Sequence, residues 1–354
     1  MYFAPSWVLV ATFVTIAYSS LLRSLVDNLS AGPSYLAAFG FAVAFALCVL
    51  AHEAGHTAVS LALGRPVRRI VIFLLGGVSE VEGEVERPRD ELLIAVAGPA
   101  VSGLIAGVAA SVAVFLPHDK LPAVLLALLT WSNLVVAVFN LLPGLPLDGG
   151  RALRAIVWGA SRSRRAGTLA AAWIGRVVAV LVALASVYAI SERWGVFSFV
   201  TGLLLAVFIW SGAGRAVTSL RLAERVETLR IADLLRPGVL VTSDVSVAEA
   251  VRRAQGSAAQ GIVIVDGAAN PIAIVEEHRV RELPVERQPW WPIASVARPL
   301  EAGLVLSERA DGSALVDALR TTPAGEYLVV REDGSLAGVL TARDVAIALG
   351  GGRQ

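Results

Sequence analysis

"GFAVAFALCVLAHEAGHTAVSLALG", residues 40–64, is a run of apolar and small residues with two imidazoles and a carboxylate near its centre: His52, Glu53 and His56. Its length decides the fold class, because about 20 apolar residues cross roughly 30 Å of hydrocarbon as a helix. Its polar centre raises the functional question. Residues four apart on a helix share a face, about 6 Å from one another, so His52 and His56 present two imidazoles to one point with Glu53 beside them. That spacing lets two histidines share a tetrahedral zinc and leaves the intervening glutamate free to act as a general base. HExxH is short enough to arise by accident in a soluble helix. Inside a span, each ionisable group at the bilayer centre costs about 2.5–3.5 kcal/mol on insertion scales, so accident is a poor account. The bland alternative is a set of polar residues satisfied by interhelical hydrogen bonds.

The chain as a whole agrees with that first stretch. Its 354 residues are 56% hydrophobic and 17% charged, with a mean hydropathy of +0.70, a composition of membrane proteins rather than soluble ones. The length criterion predicts six spans, at about residues 5–23, 35–63, 91–116, 121–147, 168–190 and 196–218. The opening stretch lacks a basic n-region and is read as a retained span rather than a cleaved leader. Arg65, Arg68, Arg69, Arg87 and Arg89 fall between the second and third spans. Arg151, Arg154, Arg162, Arg164 and Arg165 follow the fourth, and Arg215, Arg221 and Arg225 close the sixth. The alternate loops hold only Arg23, Lys120 and Arg193, so the positive-inside rule predicts a multi-pass plasma-membrane protein with both termini cytoplasmic. A net charge of +1 offers no electrostatic footprint for nucleic acid, and none is expected as a partner. A single cysteine excludes an internal disulfide.

Two histidines leave a catalytic zinc one protein ligand short. "FNLLPGLPLDGGR", residues 139–151, offers it. Pro143 and Pro146 cannot continue the fourth helix, and Gly149 and Gly150 are expected to let the backbone turn sharply, so Asp148 is expected on an unwound segment. Irregular backbone at membrane depth survives only where protein or a water-filled cavity covers it. The plain reading of Asp148 is a helix-capping acid.

"VRRIVIFLLGGVSEVEGEVERP", residues 67–88, is too short to cross twice and is rich in β-branched residues, so it is read as strands turning at Gly76 and Gly77. Glu80, Glu82, Glu84 and Glu86 recur every second residue and are expected on one strand face, either as a solvated hairpin or beside an edge that pairs with an extended substrate. Cys48 is read as a small packing residue and His118 and His278 as surface histidines. Gly98, Ser102 and Ala106, with Gly103 and Gly107, are spaced for close helix contact.

From about residue 231 the chain turns to alternating short β-rich and amphipathic stretches and repeats itself: "IADLLRP" (231–237) returns as "IASVARP" (293–299), and "GIVIVDGAANPIAIVEEHRV" as "EYLVVREDGSLAGVLTARDV". Each unit reads as helix, strand, helix, strand, strand, helix. The pair resembles tandem cystathionine-β-synthase (CBS) domains, regulatory modules that in some families bind adenosine nucleotides and dimerise.

HEAGH within a span, "NLLPGLPLDGG" at the end of a later one and "GGVSE" between them resemble the intramembrane zinc metalloproteases of the site-2 protease family, in the bacterial subgroup with a C-terminal CBS pair. The resemblance implies a polytopic α-helical membrane protein with six transmembrane helices, a short membrane-associated β element and a soluble α/β CBS pair. Its expected divisions are a core over 1–220, a linker over 221–230 and CBS units over 231–285 and 292–350. It implies one Zn2+ on His52, His56 and Asp148, Glu53 as catalytic base, and Asn140 contacting the substrate or the developing oxyanion, with an amide bridging two helices as the plain alternative for Asn140. The substrate strand would meet Gly76, Gly77 and Val78. The expected partners are the lipid bilayer, a membrane-protein substrate cut within or at the edge of its transmembrane segment, and a second copy through the CBS pair. In "GVLTARD" (338–344) Thr341 and Asp344 match positions that face phosphate and ribose, whereas Glu276 and Arg279 replace them in the first repeat, so at most one adenosine nucleotide is expected. A CBS-gated transporter or channel shares the broken spans and intramembrane charge, and zinc dependence separates the two. A zinc-binding pseudoprotease is disfavoured because the catalytic positions are intact.

Overall fold

The computed structural model describes residues 2–3, 6–73, 76–81, 85–191 and 196–350, with the backbone alone at 2–3, 6–7, 9–10, 67–73, 76–81, 190–191 and 196–197. The chain divides into two compact units, residues 1–220 and 221–354.

The first unit is helical: α1 (Ser6–Leu25), α2 (Ala31–Ala62), α3 (Pro88–Ala113), α4 (Leu121–Asn140), α5 (Asp148–Ser161), α6 (Arg164–Ser191) and α7 (Val196–Thr228). Among the described residues, five helices are long and apolar enough to cross a membrane: α2, α3, α4, α6 over Arg164–Ala189 and α7 over Ser198–Thr228. Their apolar windows are only 17–39% buried, so most of their Leu, Val and Phe side chains face outward, where lipid alone accepts them. Many of the residues buried between helices are small, among them Ala38, Ala42, Ala95, Ala106 and Ala109. Gly55 of the HEAGH stretch is one such contact, since a Cβ there would stand 3.1 Å from the Ala97 carbonyl oxygen of α3. Gly103 and Gly107 differ from expectation, because nothing lies within 4 Å of a Cβ at either.

Three further differences have local causes. The fourth span is expected to reach residue 147, but α4 ends at Asn140. Leu141–Leu147 is non-helical with a cis Leu145–Pro146 bond, and α5 then restarts at Asp148, which is the first residue of a helix rather than part of the unwound segment. Gly149 and Gly150 have no positive φ and make no turn. They allow close approach, since Cβ atoms there would stand 2.2 Å from the Leu141 carbonyl oxygen and 2.2 Å from the Leu145 nitrogen.

Residues 67–73 and 76–81 form an antiparallel pair, β2 (Val67–Phe73) and β3 (Gly76–Val81), with β1 (Tyr2–Phe3) parallel to β2 on its other side. Gly76 and Gly77 do not make the turn: they pair with Phe73 and Ile72 inside β3. Val78 pairs with Val71, and β3 is an edge of the sheet among the described residues. Of the four glutamates, only Glu80 falls on β3. Glu82 and Glu84 lie outside the described residues, and Glu86 is exposed beyond the strand.

In the second unit the repeat is visible element by element. The first copy has a 3-10 turn (Ile231–Leu234), β4 (Gly238–Thr242), α8 (Val247–Gly256), β5 (Gly261–Val265), β6 (Pro271–Val275) and α9 (Glu277–Glu282). The second has a 3-10 turn (Ile293–Val296), β7 (Ala297–Pro299), β8 (Val305–Ser307), α10 (Gly312–Thr321), β9 (Glu326–Val330), β10 (Leu336–Thr341) and α11 (Ala342–Ala348). Ser246, Asp311 and Thr341 cap α8, α10 and α11 through their side-chain oxygens.

Sequence copies and packed layers do not coincide. The sheets run β4-β5-β6-β7 and β10-β9-β8, so β7 of the second copy completes the first copy's sheet. Reciprocally, Arg236 bridges to Val339 of β10. The cores follow the same exchange: Ile231 packs with Leu304, Tyr327 and Leu340, and Ile293 and Val296 pack with Val241, Ile264 and Val275. The stretch expected as a linker is helical over residues 221–228, the last turns of α7.

Candidate active site

α2, α3 and α5 meet at one buried point. His52 and His56, 4% and 5% exposed, face the carboxylate of Asp148 at the start of α5. Asp148 Oδ2 lies 3.2 Å from each histidine Nε2, and the two Nε2 atoms lie 3.3 Å apart. Three donor atoms of a tetrahedral zinc with bonds of about 2.0–2.1 Å stand about 3.3–3.4 Å apart, so the triangle has the size the metal requires.

Protonation argues the same way. Nδ1 of His56 donates to the Ile94 carbonyl of α3 at 2.6 Å, which leaves its Nε2 as a lone pair. Nδ1 of His52 lies 2.9 Å from the Ser102 hydroxyl, which can donate or accept; with the hydroxyl accepting, the other Nε2 is in the same state. Two lone pairs and a carboxylate then converge on one buried point, an arrangement that a divalent cation relieves. Among the described residues this is the one group of three or more His, Cys, Asp or Glu side chains close enough to hold a metal. Cys48 is buried one turn before His52 and stays outside that group. His118 and His278 are exposed.

Gly98 explains the close approach of α3. A Cβ there would stand 2.3 Å from His56 Nε2 and 2.6 Å from His52 Nε2. The α3–α5 register is held by Arg154, whose Nε donates at 2.8 Å to Oε1 of a fully buried Glu91. Glu53 is 9% exposed, on the helical turn between the two histidines. Asn140 is the last residue of α4, half-buried. Its neighbour Leu141 puts its carbonyl against Gly149, the residue after Asp148. Gly76, Gly77 and Val78 lie on β3, and among the described residues that strand joins the sheet on one side only.

Sequence reasoning missed Ser102, the Ile94 carbonyl, Gly98 and the Glu91–Arg154 pair. Three of those residues sit in or just before "AGPAVSGL", a stretch whose spacing signalled helix contact without saying what lies across it.

In the second unit Thr341 is buried and its Oγ1 accepts the Asp344 N–H at 3.1 Å. Asp344 itself accepts from Arg236 Nε and Nη2 at 2.5 and 2.6 Å, a bidentate pair between the two sequence copies. Arg236 holds the Asp344 carboxyl below the usual carboxylate range. Nearby, burial pushes Glu326 up, with Glu277 and Glu276 adding repulsion.

The profile of peptidase family M50 matches residues 40–124 and 118–184. The sll0528 protein of Synechocystis sp. is 28% identical over 342 residues, 96% of this chain and 90% of its own length. Zinc metalloprotease MJ0392 of Methanocaldococcus jannaschii is 28% identical over 309 residues, 85% of this chain and 82% of its own. The solved site-2 protease from Methanocaldococcus jannaschii is 27% identical, covering 60% of this chain and 88% of that one, with a TM-score of 0.43.

Proposed function

We infer that this chain, which belongs to peptidase family M50, the site-2 protease family, is an intramembrane zinc metalloprotease with a C-terminal CBS pair. Its substrates are membrane proteins, and it hydrolyses a peptide bond within or at the edge of a transmembrane segment. The observation that carries the reading is the triangle of 3.2–3.3 Å formed by His52 Nε2, His56 Nε2 and Asp148 Oδ2 at the junction of two membrane-capable helices and α5.

These three residues hold the zinc. The metal, when bound, supplies a Lewis acid that polarises the scissile carbonyl and acidifies water. Glu53 accepts the proton of the attacking water and delivers it to the leaving amine, because it shares the turn of the two ligands without being one. The Ile94 carbonyl keeps His56 in the tautomer that offers Nε2, and Ser102 orients the His52 ring through its Nδ1. Asn140 holds the substrate or the developing oxyanion. A helical segment hides its carbonyls in its own hydrogen bonds, so the substrate must be extended before it is cut. The edge of β3 at Gly76, Gly77 and Val78 accepts it as an added strand.

α1 serves as the sixth span, and the arginine-rich loops place both termini and the CBS pair in the cytoplasm. An impermeant thiol probe should label cysteines placed at 119 or 192 from outside but not at 162 or 300; the reverse pattern overturns the orientation. Residues 1–220 form the protease core and 231–350 the CBS pair, which pairs two copies. It takes at most one adenosine nucleotide, at Thr341 and Asp344, and the ligand must displace Arg236. Calorimetry of the full chain against AMP, ADP and ATP tests this, and two saturable sites contradict it.

Metal analysis tests the central reading. Purified protein should carry about one zinc per chain, and His52→Ala and Asp148→Ala should lose tight binding. Full zinc in both variants would sink the assignment.

A further inference from the structure

α6 carries a cation that the chemistry above does not use. Arg164 opens the helix with its guanidinium 5.7 Å from the Trp158 ring, an arginine–tryptophan pair of the kind that marks a membrane interface. From Arg164 to Arg176 the helix climbs about 18 Å, which takes Arg176 deep into the apolar layer. There its guanidinium carbon stands 4.8 Å from the Trp173 ring centroid and 5.6 Å from that of Trp210 on α7. Its Nε is buried with no hydrogen-bond partner, and no carboxylate pairs with it among the described residues. The acids of this unit at membrane depth are engaged elsewhere: Glu91 by Arg154, Asp148 by the histidines, and Glu53 on the turn between them. An arginine so placed is expensive to insert, and two aromatic faces compensate it only in part.

The surroundings are exposed and close to the active-site junction. Trp173 and Trp210 are 62% and 52% exposed, so the patch opens toward lipid. Gly175, next to Arg176, packs on the Leu145 carbonyl, and Gly212 packs on Pro146, so α6 and α7 grip the loop that leads to Asp148. A guanidinium presents a planar fork that suits a carboxylate. A lipid phosphate fits less well, because the side chain is too short to return to the headgroup layer from that depth.

We propose that Arg176, framed by Trp173 and Trp210, is a subsite for a carboxylate carried inside the transmembrane segment of the substrate. The chain therefore selects segments with an Asp or Glu at the matching depth, and burying both charges together relieves each. This rests on the protease reading, so binding and cleavage are measured separately.

The full chain carrying Glu53→Gln is placed in phosphatidylcholine nanodiscs and titrated with fluorescent leucine-rich transmembrane peptides. Each peptide has one Asp, moved position by position, and an Asn-bearing control. At one position or two adjacent ones Asp should bind about threefold to twentyfold tighter than Asn, the range that interhelical polar contacts supply. Arg176→Gln should abolish the difference, Arg176→Lys should keep part of it, and Arg176→Glu should prefer a Lys peptide. No Asp preference at any position in the chain with Arg176 overturns the proposal whatever the variants do, and so does a preference that survives Arg176→Gln. An Arg176-dependent response to phosphatidylglycerol without peptide discrimination assigns the patch to lipid and also overturns it. If the preferred peptide binds but the chain with Glu53 intact never cuts it, the subsite stands and the protease reading fails. Cleavage without any Asp preference keeps the protease reading and removes the subsite.

Discussion

The Ser102 hydroxyl of α3 lies 2.9 Å from Nδ1 of His52 on α2, so a residue 50 positions along the chain sets the orientation of a proposed zinc ligand. Losing such a partner typically costs tenfold to a hundredfold in metal affinity. Ser102→Ala should therefore weaken zinc binding by about that factor while the chain stays folded, read by competition with a chelator of known affinity. Unchanged zinc affinity would remove Ser102 from the site.

Gly98 and Gly103 form a matched pair on α3. A methyl group at Gly98 would overlap both His52 and His56, whereas at Gly103 it meets nothing within 4 Å. Gly98→Ala should abolish zinc binding and cleavage. Gly103→Ala should be neutral or stabilise the helix by up to about 1 kcal/mol. Metal content and thermal unfolding of the two variants side by side decide the point, and equal behaviour would contradict the packing described.

Glu91 is fully buried against Arg154, whose side chain is 20% exposed. Removing one partner of a buried pair leaves the other uncompensated, at about 3–5 kcal/mol. Glu91→Ala should lower the unfolding midpoint and detach α5, with loss of activity. Glu91→Ala with Arg154→Leu should recover much of the stability. A double variant as unstable as the single one would show that the charge pairing is not what matters.

Glu326 gives the CBS pair a pH dependence with a definite sign. Burial raises its pKa above that of an ordinary glutamate, so the folded state holds the proton more tightly than the unfolded one. The stability this contributes is present below the unfolded value of about 4.3 and is lost as pH rises through the higher folded value. Glu326→Gln should thus raise the unfolding midpoint of the CBS pair at pH 7, and the gain should vanish toward pH 4. A gain that grows on acidification would contradict the sign.

Much of the site was legible in sequence because its parts are local. HEAGH brings two imidazoles to one point by helical periodicity alone, and Pro143 and Pro146 announce a broken helix wherever it sits. The missing parts are contacts between distant segments. Nothing in "AGPAVSGL" reveals that Gly98 faces two imidazoles, and nothing in "IADLLRP" reveals that Arg236 reaches Asp344, 108 residues on. The restart of α5 at Asp148 was hidden by the same prolines that showed the break, since they mark where a helix stops and not how soon the next begins. The exchange of 3-10 turns between the CBS copies was invisible for a related reason: a repeat in sequence says that two units are alike, not which of them a segment packs against.

Hydrolysis by this chain stands or falls on Glu53. In Glu53→Gln the amide keeps the size and hydrogen bonding of the side chain but cannot take a proton from water. The most direct measurement is cleavage of a transmembrane test substrate by native and Glu53→Gln proteins of equal zinc content in the same bilayer. The native chain should release two fragments cut within or at the edge of the segment, and Glu53→Gln should release none while its zinc remains. Cleavage by Glu53→Gln at a rate comparable to native would contradict the mechanism.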